Sequence, residues 1–174
     1  MEVVEAIRLK RAVREFDPRP LPDEALQRIL WAGSRAQSSK NTQPCHFIAI
    51  RNRSTLEALA RLGTYAGHLA GAALGVAIVT PDPAPRFSIL FDAGQAAAYM
   101  QLAAWELGIV SCLATIYEPD AARRLLGFPA EMHLRFALSF GYPADPSRLT
   151  APPQAGGRRP YVRAVHDERW TKPT

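Results

Sequence analysis

Apolar residues recur along this chain with two periods, one typical of helices and one typical of strands. Helical spacing predicts helices over residues 2–9, Pro22 to about Ala36, Ser54 to about Leu62 with Ser54 as the cap, Ile89–Leu107, and Pro119 to about Leu126. Short apolar runs predict strands over residues 46–50, Ala73–Val79, Ile109–Ala114 and 133–140. Because helices and strands interleave, the chain is predicted to be an α/β or α+β protein with a helix-covered sheet. Its 174 residues suit a single domain.

The helix predicted over Ile89–Leu107 is apolar almost all round. Its strongly polar residues are only Asp92, Gln95, Gln101 and Glu106, and its many alanines permit a neighbouring helix to approach closely. A helix without a polar face is predicted to be buried. The sequence leaves open whether it lies at a subunit interface or in the core of a single domain.

Proline, glycine and arginine replace the periodic pattern after Pro143. A segment of this composition cannot build a core by itself. It ends in YVRAVHDERW at 161–170, where Val162, Val165 and Trp170 look suited to docking on another surface. The second subunit of a dimer is one such surface.

Composition and motifs argue against several classes of protein. The chain has neither a run of about 18 apolar residues nor a basic-then-apolar leader, so it is expected to be soluble and cytoplasmic, without a membrane partner. Cys45 and Cys112 are too few for a disulfide framework or a zinc site, and we interpret them as reduced thiols with no metal expected. His68 and His133 are interpreted as ordinary surface or strand-edge residues. A dinucleotide-binding G-x-G-x-x-G, a P-loop and a hydrolase G-x-S-x-G are all missing.

The net charge of +5 is concentrated at the two ends of the chain. Residues 1–14 carry a net charge of +2 and residues 148–174 carry +4, so the remainder is close to neutral. Positive ends that meet in space suit one compact anion, such as a phosphate. Nucleic-acid binding and simple solubility are the alternatives that basic ends leave open.

Three segments combine side chains suited to binding. KRAVREF at 10–16 packs three cations into five residues between two helices, where they can converge on an anion. QSSKNTQPCHF at 37–47 presents amides and hydroxyls before a buried strand, which suits the polar edge of a planar heterocycle. GGRRP at 156–160 adds Arg158 and Arg159 after two flexible glycines. Taken singly, the first segment is also typical of a solvated charge run, the second of a turn and the third of a solvated tail.

In this order, the segments resemble the nitroreductase family of flavoproteins. The resemblance extends over essentially the whole chain and is carried by KRAVREF, QSSKNTQPCHF, FDAGQAA, ELGIVS, LLGFP, FGYP and RRPYVRAVHDERW. It implies one α+β domain over residues 1–174, of α/β type in three layers, with helices covering a mixed or antiparallel sheet. It also implies an FMN-binding homodimer that exchanges C-terminal arms, with residues 148–174 packing on the partner subunit.

The resemblance also implies which residues contact FMN. Lys10 and Arg11, with Arg158 or Arg159, correspond to the clamp on its phosphate. Arg14 corresponds to the cation beside the pyrimidine edge of the flavin, where positive charge favours the reduced state. Ala12 stands where the family usually has a serine of the cofactor site. The loop that reaches the partner's flavin corresponds to Gln37, Ser38, Ser39 and Asn41. The segment that lines the ring near N5 corresponds to Leu113, Ala114 and Thr115.

The function implied by the resemblance is that of an FMN-dependent oxidoreductase. NAD(P)H would pass hydride through flavin N5 to a small organic acceptor, such as a nitroaromatic compound or a quinone, in a ping-pong mechanism. No catalytic side chain is assigned, because the cofactor carries the chemistry. The alternatives are a flavin-storage protein of the same fold without turnover and a flavin-dependent dehalogenase or flavin-fragmenting enzyme. Nucleic acid is not expected as a partner.

Three positions depart from the family pattern. Ala12 replaces the usual serine, Gln37 the usual proline and Cys45 the usual tryptophan. We interpret Cys45 as a small core residue rather than a redox thiol. No counterpart is identified for the lysine or asparagine that often approaches the ring from before the second strand.

Overall fold

A computed structural model describes residues 2–152 and 158–170 of the chain. In this part the helices and strands are α1 (Val3–Leu9), α2 (Asp23–Ser34), β1 (His46–Ile50), α3 (Arg53–Ala60), β2 (Leu74–Pro81), α4 (Ser88–Glu106), β3 (Val110–Thr115), α5 (Pro119–Leu126) and β4 (Met132–Gly141). Short 3₁₀ turns cover Ser39–Asn41, Gly67–Leu69, Pro146–Leu149 and Tyr161–Arg163. Every predicted helix and strand is confirmed, with ends that move by at most two residues.

The four strands form one sheet in the order β1-β2-β4-β3. All of their pairings are antiparallel, and Cys112 of β3 lies opposite Ser139 of β4. β2 is an inner strand covered on both faces, which explains its nearly continuous apolar sequence. The prediction of a helix-covered sheet in an α+β fold is confirmed, and of the two sheet types named, the antiparallel one is present.

Helices cover both faces of the sheet and so produce three layers. On one face, α3 and α5 pack over Ala77 and Ala137. On the other face, α2 and α4 pack over Val76 and Leu138. Adjacent residues of one strand point to opposite faces, so Ala137 and Leu138 belong to different clusters.

Close packing joins α2 to α4. A Cβ atom added to Gly33 of α2 would lie 2.8 Å from the side chain of Met100 on α4, so only glycine fits without displacing that side chain. The guanidinium of Arg28 also lies 2.9 Å from the carboxylate of Glu106. Because exposed ion pairs contribute little, the contact depends mainly on packing.

Only one face of α4 is buried within the described part of this chain, so the chain's own core does not cover the helix on all sides. Ala93, Ala97 and Met100 are buried against α2 and the sheet. The opposite face is apolar but exposed, with Phe91 exposed by 72%. We call it the α4 stripe, and it consists of Phe87, Leu90, Phe91 and Tyr99. The described part of the same chain leaves this stripe open to solvent.

Asn52, rather than the predicted Ser54, caps the N-terminus of α3. Its Oδ1 atom accepts a hydrogen bond from the Thr55 amide at 3.0 Å and another from the Ser54 hydroxyl at 2.6 Å. We expect Asn52→Ala to lower the free energy of unfolding by about 1 kcal/mol, because it leaves an amide of the first turn unpaired. Ser54→Ala should lower the free energy of unfolding by less, because it removes only the hydrogen bond from the Ser54 hydroxyl to the Asn52 side chain. Urea denaturation of both variants tests this, and equal losses would contradict it.

The C-terminal segment ends in exposed apolar side chains. Tyr161, Val162 and Trp170 all face solvent, and the Trp170 ring stacks on His166 with centroids 4.3 Å apart. The surface on which this segment was predicted to dock is therefore not within the described part of its own chain. Docking on a partner subunit stays a prediction.

Candidate functional site

Residues 10–16 form an extended segment along the edge strand β3, which we call the N-terminal strap. Ala12 pairs in parallel with Ser111, and the Val13 amide donates to the Ser111 carbonyl at 3.1 Å. Val13 points into the core. Since side chains alternate along an extended backbone, Ala12 and Arg14 are exposed.

Lys10 is bound to α4 and lies near a cation of the C-terminal segment. Its Nζ atom donates to Oε1 of Gln101 at 2.8 Å. Burial lowers the pKa of Lys10; the nearby Cys112 opposes this shift, and the positive charge of Arg158 adds to it. Arg158 therefore lies within electrostatic reach of Lys10, so cations from opposite ends of the sequence share one region of the surface.

Arg11 ties the strap to the segment that follows β4. It donates from Nε to the Leu9 carbonyl at 3.1 Å and from a terminal nitrogen to the Ala151 carbonyl. Both partners are backbone oxygens, so part of its hydrogen-bonding capacity is already used. Arg159 is exposed. The glycines of the predicted GGRRP segment lie outside the described residues.

A cleft of about 180 Å³ opens beside Arg14. It is lined by Ala12, Val13, Arg14, Glu15, Asp145 and Arg148. Two cations and two carboxylates balance one another here, so a bound anion would be attracted by Arg14 and Arg148 locally rather than by a broad positive field.

His68 is the main site residue that sequence reasoning missed, and its interpretation as a surface or strand-edge residue is wrong. The turn at Gly67–Leu69 buries its ring, which is 8% exposed. Nδ1 lies 2.7 Å from the hydroxyl of Ser139, and that hydroxyl donates to the Cys112 carbonyl at 3.3 Å. Burial lowers the pKa of His68 and the charge of Arg14 lowers it further, while the Leu113 backbone opposes both.

Three buried polar atoms lack a hydrogen-bond partner within the described residues: Nε2 of His68, Nε1 of Trp105 and Oγ of Ser111. Ser111 pairs with the strap, and Trp105 packs against Val13. Unpaired buried polar atoms are rare in native proteins. Ser111 and Trp105 lie against the strap, whose cations and hydrogen-bonding groups suit a phosphate-bearing heterocycle such as FMN.

The end of β3 presents its predicted site residues unequally. Leu113 is 41% exposed, whereas Ala114 is buried on the face covered by α3 and α5. Thr115 is half-buried, and its carbonyl would lie 2.1 Å from a Cβ atom added to Gly63. Ala114 can therefore contribute to a site only through its backbone.

The loop with the other predicted site residues is fixed to α4. The Ser39 amide donates to both carboxylate oxygens of Asp92 at 3.2 Å, and Arg86 donates to the Ser39 carbonyl at 2.8 Å. The Ser38 hydroxyl accepts from the Gln43 amide at 2.9 Å. Gln37 and Asn41 remain exposed.

The structure does not bring this loop to the strap within one chain. Gln37 and Ser38 line a separate cavity of about 310 Å³, together with Cys45, Asp92 and residues of α2 and α4. That cavity shares no lining residue with the cleft beside Arg14. In the described part of the chain, the loop and the strap therefore line two different cavities.

Cys45 lines the larger cavity as a neutral thiol. Burial, with a smaller effect of the Asp92 charge, raises the pKa of Cys45 from 9.0 to about 11. As the pH rises from 9 toward 11, unfolded chains lose this proton before folded ones, so this group lowers the stability of the fold in that range.

We expect iodoacetamide at mildly alkaline pH to alkylate Cys45 about tenfold more slowly than an unperturbed thiol, because thiolate is scarce although more nucleophilic. The Cys112→Ala variant keeps Cys45 as its one cysteine, and mass spectrometry follows the reaction against pH. Denatured protein is the control. A folded rate equal to the denatured rate would contradict the expectation.

Neither a metal centre nor a membrane span is indicated within the described part of the chain. None of its His, Cys, Asp and Glu side chains cluster in groups of three or more that could hold a metal ion. None of its helices is long and apolar enough to cross a membrane.

Comparisons with known proteins agree with this fold. A profile of the nitroreductase family matches residues 7–66 and 63–142. A relative from Archaeoglobus fulgidus, named "Putative NADH dehydrogenase/NAD(P)H nitroreductase", is 32% identical over 97% of this chain and 99% of its own. A relative of the same name from Methanothermobacter thermautotrophicus is 28% identical over 83% of this chain and 79% of its own.

Solved structures show the same fold. An FMN-dependent nitroreductase from Clostridium difficile superimposes with a TM-score of 0.84, covering 96% of this chain and 99% of that one at 24% identity. The NADPH:FMN oxidoreductase from Vibrio harveyi, complexed with NAD+, gives a TM-score of 0.85, covering 99% and 79% of the two chains at 21% identity. The fold and the family match thus define a protein of the nitroreductase class. This chain belongs to the nitroreductase family.

Proposed function

We propose that this protein is an FMN-dependent oxidoreductase that takes electrons from NAD(P)H and passes them to a small organic acceptor, such as a nitroaromatic compound or a quinone. The observation that carries the proposal is that Lys10 and Arg14 both act electrostatically on Cys112 of β3 and that Arg158 acts on Lys10, while Ser111 of the same strand keeps a buried hydroxyl without a partner among the described residues. Membership of the nitroreductase family supports it, as do the names of its relatives.

Each group of residues has a defined task. Lys10, with Arg158 or Arg159, holds the phosphate, while Arg11 fixes the C-terminal segment to the strap through the Ala151 carbonyl. Arg14 places positive charge at the polar edge of the ring, which favours its reduced state. The backbone of 113–115 and the exposed side chain of Leu113 form one wall.

When bound, FMN supplies two-electron transfer between donor and acceptor. Donor and acceptor occupy the same open slot in turn, in a ping-pong order. No side chain is assigned as a catalytic acid or base. The protein binds and orients FMN, and its positive charge favours the reduced state of the flavin.

The complete site is proposed to need two copies of the chain. The loop with Gln37, Ser38, Ser39 and Asn41 lies at a cavity separate from the strap, so it would serve the site of the partner subunit. The α4 stripe and the exposed C-terminal segment supply apolar surface for such an interface, with residues 148–174 as an arm on the partner.

Phe91→Glu tests the dimer, because it places a charge in the middle of the α4 stripe. We expect it to convert a dimer into a monomer that has lost most of its FMN affinity. Sedimentation velocity and flavin fluorescence measure the two effects. Phe91→Tyr, which preserves the ring, is the control. A stable monomer of the unaltered protein that holds flavin would overturn the shared site.

An absorbance spectrum of the freshly purified protein tests the proposed function. We expect flavin bands that NADH or NADPH bleaches under anaerobic conditions and that a quinone or nitroaromatic acceptor restores. Steady-state rates at several fixed acceptor concentrations should give parallel double-reciprocal lines. Bound flavin that neither nicotinamide reduces would instead support storage, and protein without flavin affinity would refute FMN dependence.

A further inference from the structure

Gln101 is a polar residue of α4 that faces the N-terminal strap. Trp105, one turn further along the helix, packs against Val13 of the strap, and residues four apart share one face of a helix. Gln101 is only 8% exposed, and its side chain contacts Lys10 at the start of the strap. The proposed function gives a task to Lys10 but none to this buried partner on α4.

Hydrogen bonds fix Lys10 at its backbone and at the end of its side chain. The backbone amide donates to the Ala6 carbonyl at 2.8 Å, at the end of α1. The Nζ atom donates to Oε1 of Gln101, also at 2.8 Å. An ammonium group can only donate hydrogen bonds, so the oxygen of the Gln101 amide must be the atom that faces it. The contact therefore restricts a long side chain that would otherwise sample many rotamers.

The neutrality of Gln101 distinguishes this contact from an ion pair. Within residues 2–152 and 158–170, none of the ion pairs includes Lys10. An amide oxygen takes up one of the three hydrogens of the ammonium and leaves the positive charge uncompensated. A carboxylate at the same place would also hold the ammonium, but it would offset the charge and repel an anion. The amide is therefore suited to presenting Lys10 to an anion such as a phosphate.

We propose that Gln101 is a positioning residue that holds the Lys10 ammonium for the phosphate of FMN, and that it thereby sets the preference of this protein for FMN over riboflavin, which has no phosphate. This inference rests on the proposed function, in which Lys10 binds the phosphate. Gln101 acts through Lys10 and does not contact the cofactor. Binding of the ring system, which FMN and riboflavin share, does not depend on it.

Gln101→Glu tests the proposal, because it preserves the shape and the acceptor oxygen but adds a negative charge beside Lys10. We expect it to weaken FMN binding by about tenfold or more and to leave riboflavin binding within about twofold. Gln101→Met removes the acceptor and should weaken FMN binding by a smaller factor of about three to ten, because Lys10 regains rotamer freedom. Gln27→Glu, which adds the same charge at an exposed position of α2, is the matched control and should change neither affinity. Fluorescence titration of each apoprotein measures both flavins.

A double-mutant cycle with Lys10→Met separates positioning from packing. In the Lys10→Met background, Gln101→Met should not change the ratio of FMN to riboflavin affinity any further, because the two residues act as one unit. This cycle decides the matter if Gln101→Glu fails to fold. Undiminished FMN affinity in Gln101→Glu, equal losses for the two flavins, or an undiminished effect of Gln101→Met in the cycle overturns the inference while FMN dependence stands. Unaltered protein that binds no FMN overturns both.

Discussion

Simultaneous Lys10→Met and Arg14→Gln substitutions are expected to weaken FMN binding by about 100-fold or more. Each hydrogen bond to a charged group contributes about 1.5–3 kcal/mol, and each 1.4 kcal/mol changes affinity about tenfold. Methionine preserves the stem of Lys10, so the loss should reflect charge rather than packing. Fluorescence titration of the apoprotein measures the affinity.

Two comparisons make this result specific. Arg124→Gln with Arg135→Gln removes the same amount of charge from exposed positions outside the strap and should leave FMN affinity within about twofold, because exposed charges interact weakly at physiological salt. Lys10→Met alone should reduce the preference for FMN over riboflavin, which has no phosphate. If the strap variant and the control lose FMN affinity equally, Lys10 and Arg14 are not the residues that bind FMN.

Gly63→Ala is expected to lower the free energy of unfolding by about 1–3 kcal/mol and to reduce FMN affinity as well. The added Cβ atom would lie 2.1 Å from the Thr115 carbonyl, a backbone atom that cannot rotate away. The Tyr117 amide donates to the Leu62 carbonyl at 2.8 Å, so the two segments cannot separate without losing this bond. The end of β3, where the flavin wall is proposed, must therefore move.

Gly71→Ala provides the matched control. No heavy atom lies within 4 Å of its added Cβ, so its stability should be unchanged or slightly higher through a less flexible unfolded chain. Urea denaturation of both apoproteins gives the comparison without a contribution from ligand binding. Equal free energies of unfolding for the two variants would show that the end of β3 accommodates the added Cβ atom of residue 63 without a loss of stability.

Local patterns account for most of the fold. The helices and strands were predictable because each carries its own periodicity. Pro119 marks the start of α5 and Gly108 follows the end of α4, and both residues act on the helix end through their own backbone conformation. Ser54 was chosen wrongly over Asn52 because both residue types cap helices and only the backbone angles decide between them. The sequence left open what covers the outer face of α4, because an apolar pattern shows that a helix needs a partner, not whether its own chain provides one.

The site was less predictable, because it is assembled from distant segments. The basic character of both ends indicated that cations meet, but the orientation of Arg11 onto the Ala151 carbonyl has no local signal. His68 and Ser139 are separated by 71 positions, so their hydrogen bond is invisible in sequence. A lone histidine between apolar and small residues was the available clue to its burial.

The left-handed backbone of the loop after α2 bears on how far this protein can be stabilised. Lys40, Asn41 and Gln43 have φ values of 55°, 52° and 47°, although none of them is glycine. Such angles disfavour ordinary side chains by roughly 1 kcal/mol or more each. Glycine at Lys40 or Gln43 would relieve this cost but delete a side chain at the surface expected to face the partner's flavin. Under the proposed two-copy site, a gain in thermostability at this loop is therefore expected to lower the flavin affinity of the partner subunit.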